Sequence, residues 1–244
     1  MAMSQIIQSL GVDNYSRIVI LTGAGISVAS GLPTFRGEGG IYTEDVEWIS
    51  DSNNLPGSLP DVWRFYGGRR AQFSEAKPNA GHFAIAELQR RRGPEAVTVI
   101  TQNVDGLHQR AGCIDVIELH GSLSKTRCTS VDCTSDPFDD WSVYDAPPPC
   151  PVCTSPLRPA ITLFNEMLSA EADWKSKRAL RDVDVFIAVG TSGMVWPAAN
   201  FVRSAEYVGA RTVYVSKDPM TPPNRSFQRS YIGLAEELLS LLLG

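Results

Sequence analysis

Six short apolar runs recur along this chain of 244 residues: Ile18–Leu21, Val97–Ile100, Val116–Leu119, Ala160–Leu163, Val185–Val189 and Thr212–Val215. Short runs of this kind, most of them rich in β-branched side chains, suit strands buried on both faces. Helical patterns with apolar positions three and four apart separate most of them: Ser4–Leu10, Pro60–Phe73, Ala80–Arg91, Ala170–Arg181, Pro197–Val208 and Leu234–Leu242. Alternation of strand and helix predicts an α/β fold with a doubly wound parallel sheet. Such a sheet takes its ligand in the crevice at the carboxyl ends of the strands.

Two stretches break the alternation. Residues 36–76 hold loops marked by glycine and proline, and a helix without a clear strand; residues 122–159 are polar, proline-rich and cysteine-bearing. The expected organisation is therefore a nucleotide-binding domain of residues 1–35, 77–121 and 160–244. The two insertions, a helical module (36–76) and a metal-binding module (122–159), pack together as a smaller second domain. No internal repeat is present.

Composition narrows the partners. At 43% hydrophobic residues the chain can bury a sizeable core. Its net charge of −5 is carried by interspersed acidic and basic residues, and the one short basic run is Arg90-Arg91-Arg92, so nucleic acid is not an expected partner. Residues 1–7 have neither the basic start and apolar core of a secretory leader nor a transit-peptide composition, and no run reaches the length of a membrane span. The expectation is a soluble cytoplasmic protein.

The first strand ends in Gly23-Ala24-Gly25, with Ser27 two residues on. Glycines at a strand-to-helix turn let bare backbone approach a ligand, and Ser27 can cap a helix whose first N–H groups face a pyrophosphate. The third glycine of a Gly-x-Gly-x-x-Gly pattern would fall at Val28, and the next glycine is Gly31. The fragment alone therefore suits a nucleotide site or a plain βα turn that needs glycine.

Four of the five cysteines form two pairs, Cys128-x4-Cys133 and Cys150-x2-Cys153, with sixteen residues between the pairs. Such pairs each wrap one side of a tetrahedral Zn²⁺, as in a zinc ribbon. The alternatives are two disulfides, disfavoured where thiols stay reduced, or four unrelated thiols. Four thiolates leave no open coordination position, so the metal is expected to be structural. Cys113 reads as a packed thiol.

Three more stretches stand at strand ends: Thr101-Gln-Asn-Val-Asp-Gly-Leu-His108, Glu118-Leu-His-Gly-Ser122 and Gly190-Thr-Ser-Gly-Met-Val-Trp-Pro-Ala-Ala199. With Gly23-Ala-Gly-Ile-Ser-x-x-Ser-Gly-Leu-Pro-Thr-Phe-Arg36 and the four cysteines, they closely resemble the sirtuins, the NAD-dependent protein lysine deacylases. The resemblance runs from about Arg17 to the C-terminal helix. It implies a Rossmann-type large domain, a small domain with a zinc ribbon and a helical module, and NAD⁺ as co-substrate between them. It also implies a reaction in which the acyl-lysine carbonyl oxygen attacks the anomeric carbon of the nicotinamide ribose. Nicotinamide leaves, and the acyl group ends as 2'-O-acyl-ADP-ribose.

Under this resemblance His120 is the general base, since imidazole titrates near neutrality and accepts a proton without a metal. Asn103 and Asp105 orient the nicotinamide carboxamide, although an Asx helix cap also suits Asp105. Gln102 faces the nicotinamide ribose. Arg36 closes over the cofactor from the loop Phe35–Tyr42, whose Gly37, Gly39 and Gly40 permit motion. Thr191 and Ser192 hold the adenosine side through N–H groups at a helix start. The remaining implied cofactor contacts are Gly23, Ala24, Gly25, Ser27, Thr34, Phe35, Tyr42, Gly190, Ser216, Lys217, Asp218 and Ala235. His82 and His108 read as structural.

The stretch Val62-Trp-Arg-Phe-Tyr-Gly-Gly-Arg-Arg70 is similar to the desuccinylase and demalonylase branch, in which a Tyr-x-x-Arg pair reads an acidic acyl group. Here the pair is Tyr66 and Arg69. Gly67 and Gly68 between them point either to room for a substrate chain or to a local helix break. The chain departs from the family at Phe164-Asn165-Glu166, where Phe-Gly-Glu is usual beside the peptide cleft. A second departure is Ser216-Lys217-Asp218, where an Asn-x-Glu holds the adenine ribose and Asp218 is the substitute. Two other readings use the same crevice: an ADP-ribosyltransferase or NAD glycohydrolase, and a non-catalytic NAD or ADP-ribose sensor.

Overall fold

The computed structural model describes residues 8–36 and 39–244. Most of the candidate helix Ser4–Leu10, and Gly37, lie outside the described residues. The strands are β1 (Ile18–Thr22), β2 (Val97–Thr101), β3 (Ile117–Glu118), β4 (Gly121–Cys128), β5 (Phe138–Asp139), β6 (Leu157–Ile161), β7 (Val185–Val189), β8 (Arg211–Ser216) and β9 (Arg229–Ile232). The α-helices are α1 (Glu44–Ile49), α2 (Leu59–Glu75), α3 (Ala80–Arg92), α4 (Leu107–Arg110), α5 (Ala170–Leu180), α6 (Phe201–Tyr207) and α7 (Ala235–Leu243).

Six strands form one parallel sheet in the order β3-β2-β1-β7-β8-β9. Every residue of β1 and β7 is buried, as a central strand covered on both faces requires. Alternate residues go to opposite sides. Ile18 and Ile20 pack with Ile85 and Leu88 of α3 and Leu239 and Leu242 of α7. Val19 and Leu21 pack with Ala172 and Leu180 of α5 and Phe201 and Val202 of α6. The expected doubly wound sheet is thus present, with its reversal of strand order between β1 and β7.

One strand assignment is corrected. The run Ala160–Leu163 does not enter the parallel sheet; its first residues belong to β6, which pairs antiparallel with β4 in a separate three-stranded sheet of order β5-β4-β6. The chain leaves β3 and reaches β4 within two residues, so β6 returns alongside β4 and away from β1. The sixth parallel strand is β9, Arg-Ser-Tyr-Ile, which has no buried residue and so shows no apolar run. Edge position explains its polar sequence. The short helix α1 was also not expected; Thr43 caps it, its hydroxyl accepting from the Val46 N–H at 3.2 Å.

A third core lies between α2 and the antiparallel sheet, built on Leu59, Val62, Trp63, Leu123, Leu157 and Ile161. Arg70 of α2 is fully buried within reach of it. Its guanidinium donates to Asp140, to the Ser142 and Lys125 carbonyls and to the Thr126 hydroxyl. Helix α2 runs unbroken through Gly67 and Gly68. A Cβ on Gly67 would stand 3.4 Å from the Val143 side chain, so the space at Gly67 is taken by the cysteine-bearing segment and not by a substrate chain, while Gly68 opens to empty space.

Candidate active site

A cavity of about 930 Å³ opens at the carboxyl ends of β1, β2, β7 and β8, between the parallel sheet and the third core. Among the residues expected to contact the cofactor, Tyr42 is not on its lining; the others are. Tyr42 lies behind, with the Arg36 guanidinium carbon 3.9 Å from its ring centroid and the rings of Phe35 and Phe164 at 5.5 and 6.1 Å. It supports Arg36 and Phe35, which line the cavity.

The glycines have a different first duty from the one expected. A Cβ on Gly23 would stand 2.8 Å from the Gly190 carbonyl oxygen, and one on Gly25 2.7 Å from the Gly190 Cα. A Cβ on Gly190, itself at φ 59°, would stand 2.5 Å from the Ile26 nitrogen. The loops after β1 and β7 therefore touch backbone to backbone, and this contact sets the floor of the cavity. Ala24–Ser30 is a 3₁₀ helix ended by Gly31 at φ 82°. Ser27 sits inside it and does not cap it; its hydroxyl donates to Asp105 Oδ2 at 2.8 Å.

Asn103 and Asp105 are held by the same cluster. Asn103 Nδ2 donates to the Gly23 carbonyl at 3.1 Å and to Ser27 Oγ at 3.2 Å. Asp105 Oδ1 accepts from the Leu107 N–H at 2.9 Å, so it also forms the turn into α4. Burial raises its pKa, and the bonds from Leu107 and Ser27 work against that rise.

His120 is oriented by one bond. Its Nδ1 lies 2.9 Å from the Gln102 carbonyl oxygen. A carbonyl only accepts, so Nδ1 carries the hydrogen and Nε2 of the neutral ring is left as a lone pair. Burial lowers the pKa of His120, opposed by the bond to Gln102, so the ring is neutral at pH 7. The Gln102 side chain reaches across the cavity floor and donates to Thr191 Oγ1 at 2.9 Å.

Thr191 and Ser192 are not at a helix start, because the next helical turn begins only at Ala198. They lie in a loop where their hydroxyls accept from Gly193 N and Met194 N. Tyr214, unanticipated in the sequence, lines this end and donates to the Thr191 carbonyl at 3.1 Å. Ser216, Lys217 and Asp218 line the cavity where β8 ends, opposite Ala235 at the start of α7.

Tyr66 and Arg69 share the opposite wall. The Tyr66 hydroxyl is 2.9 Å from Ser50 Oγ, and both side chains are buried on the lining. Arg69 stacks over the Phe65 ring at 4.4 Å, and its buried Nε has no partner. Ser50 carried no sequence signal, since it comes to Tyr66 only through packing of α1 on α2. Its carbonyl accepts from Phe164 N at 2.7 Å, tying this wall to the segment Leu163–Glu166. Asn165 there adopts φ 63°, the left-handed backbone a glycine would take, and its side chain is the chief influence lowering the pKa of Asp51. Glu166 pairs with Arg158 and accepts from Leu163 N.

The four paired cysteines converge. Cys128 and Cys153 sulfurs are 3.5 Å apart, Cys133 and Cys150 3.7 Å, and all four lie within 4.8 Å of one another. A tetrahedral Zn²⁺ with Zn–S of about 2.3 Å places its sulfurs about 3.8 Å apart, whereas a disulfide needs about 2.05 Å. The set fits a structural zinc. Cys113 is a packed thiol whose pKa burial pushes up to about 11.

The comparisons with known proteins agree with this geometry. The Sir2 family model matches residues 23–197. The NAD-dependent protein deacylase 2 of Pyrobaculum aerophilum is 45% identical over 206 residues, covering 82% of this chain and 80% of that protein. The NAD-dependent protein deacylase of Pasteurella multocida is 42% identical over 229 residues, covering 91% and 94%. A solved Sir2 homologue in complex with NAD superposes with a TM-score of 0.84 at 35% identity, covering 95% of this chain and 90% of that one. A Sir2 variant bound to a deacetylated p53 peptide and 3'-O-acetyl ADP-ribose gives 0.83 at 30% identity, covering 93% and 92%. By sequence and by structure, the chain belongs to the Sir2 family.

Proposed function

We propose that this chain is an NAD-dependent protein lysine deacylase that removes acetyl groups and acidic acyl groups such as succinyl and malonyl. The observation carrying the reading is one cavity that brings together an imidazole with a free Nε2, the Asn103/Asp105 cluster and, on the far wall, Tyr66 and Arg69.

His120 accepts a proton at Nε2 from a ribose hydroxyl, with Nδ1–H held on the Gln102 carbonyl so that the ring cannot turn. Asn103 Oδ1 and Asp105 supply acceptors to the nicotinamide carboxamide, since both Asn103 N–H groups are held by Gly23 and Ser27. Gln102 borders the nicotinamide ribose, and Thr191, Ser192, Ser216, Lys217, Asp218 and Ala235 border the adenosine end. Besides the base, the chain contributes placement of two substrates in line within this cavity. On the far wall, the Arg69 fork and the Tyr66 hydroxyl supply charge-assisted bonds to an acyl carboxylate. The zinc folds the 122–159 module and takes no part in the chemistry.

The domain division into residues 1–35, 77–121 and 160–244 against 36–76 and 122–159 is part of this proposal, supported by the separate third core. So are acylated proteins as partners, without nucleic acid or membrane, and a cytoplasmic location. Among the described residues no helix is long and apolar enough to cross a membrane. The test is one assay of the purified protein with NAD and matched acetyl- and succinyl-lysine peptides. Release of nicotinamide with acyl transfer on both peptides is the expected result. Free ADP-ribose without acyl transfer would identify a glycohydrolase, and nucleotide binding without turnover a sensor.

A further inference from the structure

Beneath the floor of the cavity lie two buried histidines that the proposed reaction does not use. His82 of α3 and His108 of α4 are 0% and 1% exposed, with ring centroids 4.9 Å apart. Each has one ring nitrogen without a partner, Nε2 of His82 and Nδ1 of His108.

The hydrogen positions follow from the partners. His82 Nδ1 accepts from the Asn79 N–H at 3.3 Å, completing the cap of α3, so its hydrogen is on Nε2. The Thr22 hydroxyl donates to Thr101 Oγ1 at 2.9 Å, and its oxygen lies 2.8 Å from His108 Nε2. Because the Thr22 hydrogen is already committed, His108 Nε2–H must be the donor, and His108 Nδ1 is a lone pair. The two unpartnered nitrogens are thus complementary, an N–H on His82 and an acceptor on His108. From His108 the bonds run in one direction, to Thr22 at the end of β1 and then to Thr101 at the end of β2. Thr101 Oγ1 also accepts the Asn103 N–H at 3.1 Å. It therefore receives two donors, which fixes the backbone at Asn103 where the strand ladder has ended.

We propose that His108 is a positioning residue for the nicotinamide end of the site, acting on Asn103 through Thr22 and Thr101. This rests on the reading of Asn103 as a nicotinamide contact. Without the His108 donor, the Thr22 hydroxyl is free to rotate off Thr101, and the Asn103 peptide loses its fixed acceptor. The Asn103 side chain then samples positions other than the one shared with Ser27 and Gly23. Nothing in this chain of bonds reaches the adenosine end.

The experiment compares His108→Leu, His108→Gln and Thr22→Val with Asn103→Ala as the reference. It measures turnover on acetyl-lysine peptide, inhibition by added nicotinamide, ADP-ribose affinity by calorimetry and melting temperature. His108→Leu and Thr22→Val should each lose about tenfold or more in kcat, the scale of one oriented hydrogen bond. Both should weaken nicotinamide inhibition while ADP-ribose affinity stays within about twofold, and His108→Gln, which keeps an amide donor, should recover most of the loss. If Asn103→Ala weakens nicotinamide inhibition while Thr22→Val and His108→Leu match the wild type, the relay is wrong. If Asn103→Ala itself leaves nicotinamide inhibition unchanged, the underlying reading of Asn103 fails. Should His108→Leu not fold, the isosteric Thr22→Val decides the matter alone. Equal losses of nicotinamide inhibition and ADP-ribose affinity would mark a general structural role and also overturn the proposal.

Discussion

Substituting Arg69 by Met removes the fork on the acyl wall while keeping a chain of similar length over the Phe65 ring. In the protein as it stands Arg69 is half-buried, its pKa is lowered by burial, and its buried Nε is unpartnered. The cost of holding that cation there is already met by the fold, so a carboxylate arriving between Arg69 and Tyr66 gains two charge-assisted bonds with little reorganisation. At about 1.5–3 kcal/mol for each bond to a charged group, the pair is worth about 3–6 kcal/mol to an acidic acyl substrate. Partial exposure of the wall argues for the lower end, since water screens part of the interaction. At 1.4 kcal/mol per decade, about 3 kcal/mol corresponds to roughly a hundredfold loss in kcat/KM for succinyl-lysine. Acetyl-lysine offers no carboxylate and should change by about threefold or less, because only packing is altered. The assay is kcat/KM on matched acetyl and succinyl peptides for wild type and Arg69→Met, with nicotinamide release as the readout. Equal losses on both peptides, or a wild type that ignores succinyl-lysine, would refute the assignment of Tyr66 and Arg69.

Three further outcomes are expected. His120→Ala should bind ADP-ribose normally but lose turnover by about 10²–10⁴-fold, and the wild-type rate should fall at low pH only below the ordinary histidine range, because burial lowers the His120 pKa and only the neutral ring accepts a proton; near-normal turnover of the variant would end the assignment. Cys150→Ala, or chelation of the metal, should unfold the 122–159 module and lower the melting temperature, whereas zinc-free protein with wild-type stability would exclude a structural zinc. Stability should fall as pH drops from about 6.5 towards 4: burial holds His82 at about 4 and His108 at about 3, so the unfolded chain binds protons that the folded chain refuses. His82 alone, shifted from 6.5 to about 4, accounts for about 3 kcal/mol across that window; urea titrations of wild type and the His82→Gln/His108→Gln pair should show a shallower pH dependence in the double variant.

The fold was legible wherever burial forced a pattern. Strands β1, β2, β7 and β8 are buried in the sheet, so both faces must be apolar, and their runs stand out within a residue or two of the observed ends. The cysteine spacing was equally informative, because four thiolates around one ion leave little freedom. The sequence could not distinguish Ala160–Leu163 from a central strand, since membership of a sheet depends on which neighbour supplies hydrogen bonds, and β4 supplies them here. It concealed β9, whose edge position needs no apolar residues.

The same division holds in the site. Gly23, Gly25, His120, Asn103 and Asp105 were identified by their places at strand ends and by resemblance to a family. What they do to one another is tertiary. Only the packed structure shows that the glycines serve backbone contact between two loops, that Ser27 binds Asp105 and does not cap a helix, and that Tyr42 supports the cavity from behind. The Ser50–Tyr66 bond and the path from His108 to Asn103 join residues sixteen apart and strands far apart in sequence. Local sequence sets the chemistry each side chain can perform, and long-range packing sets which partner it meets.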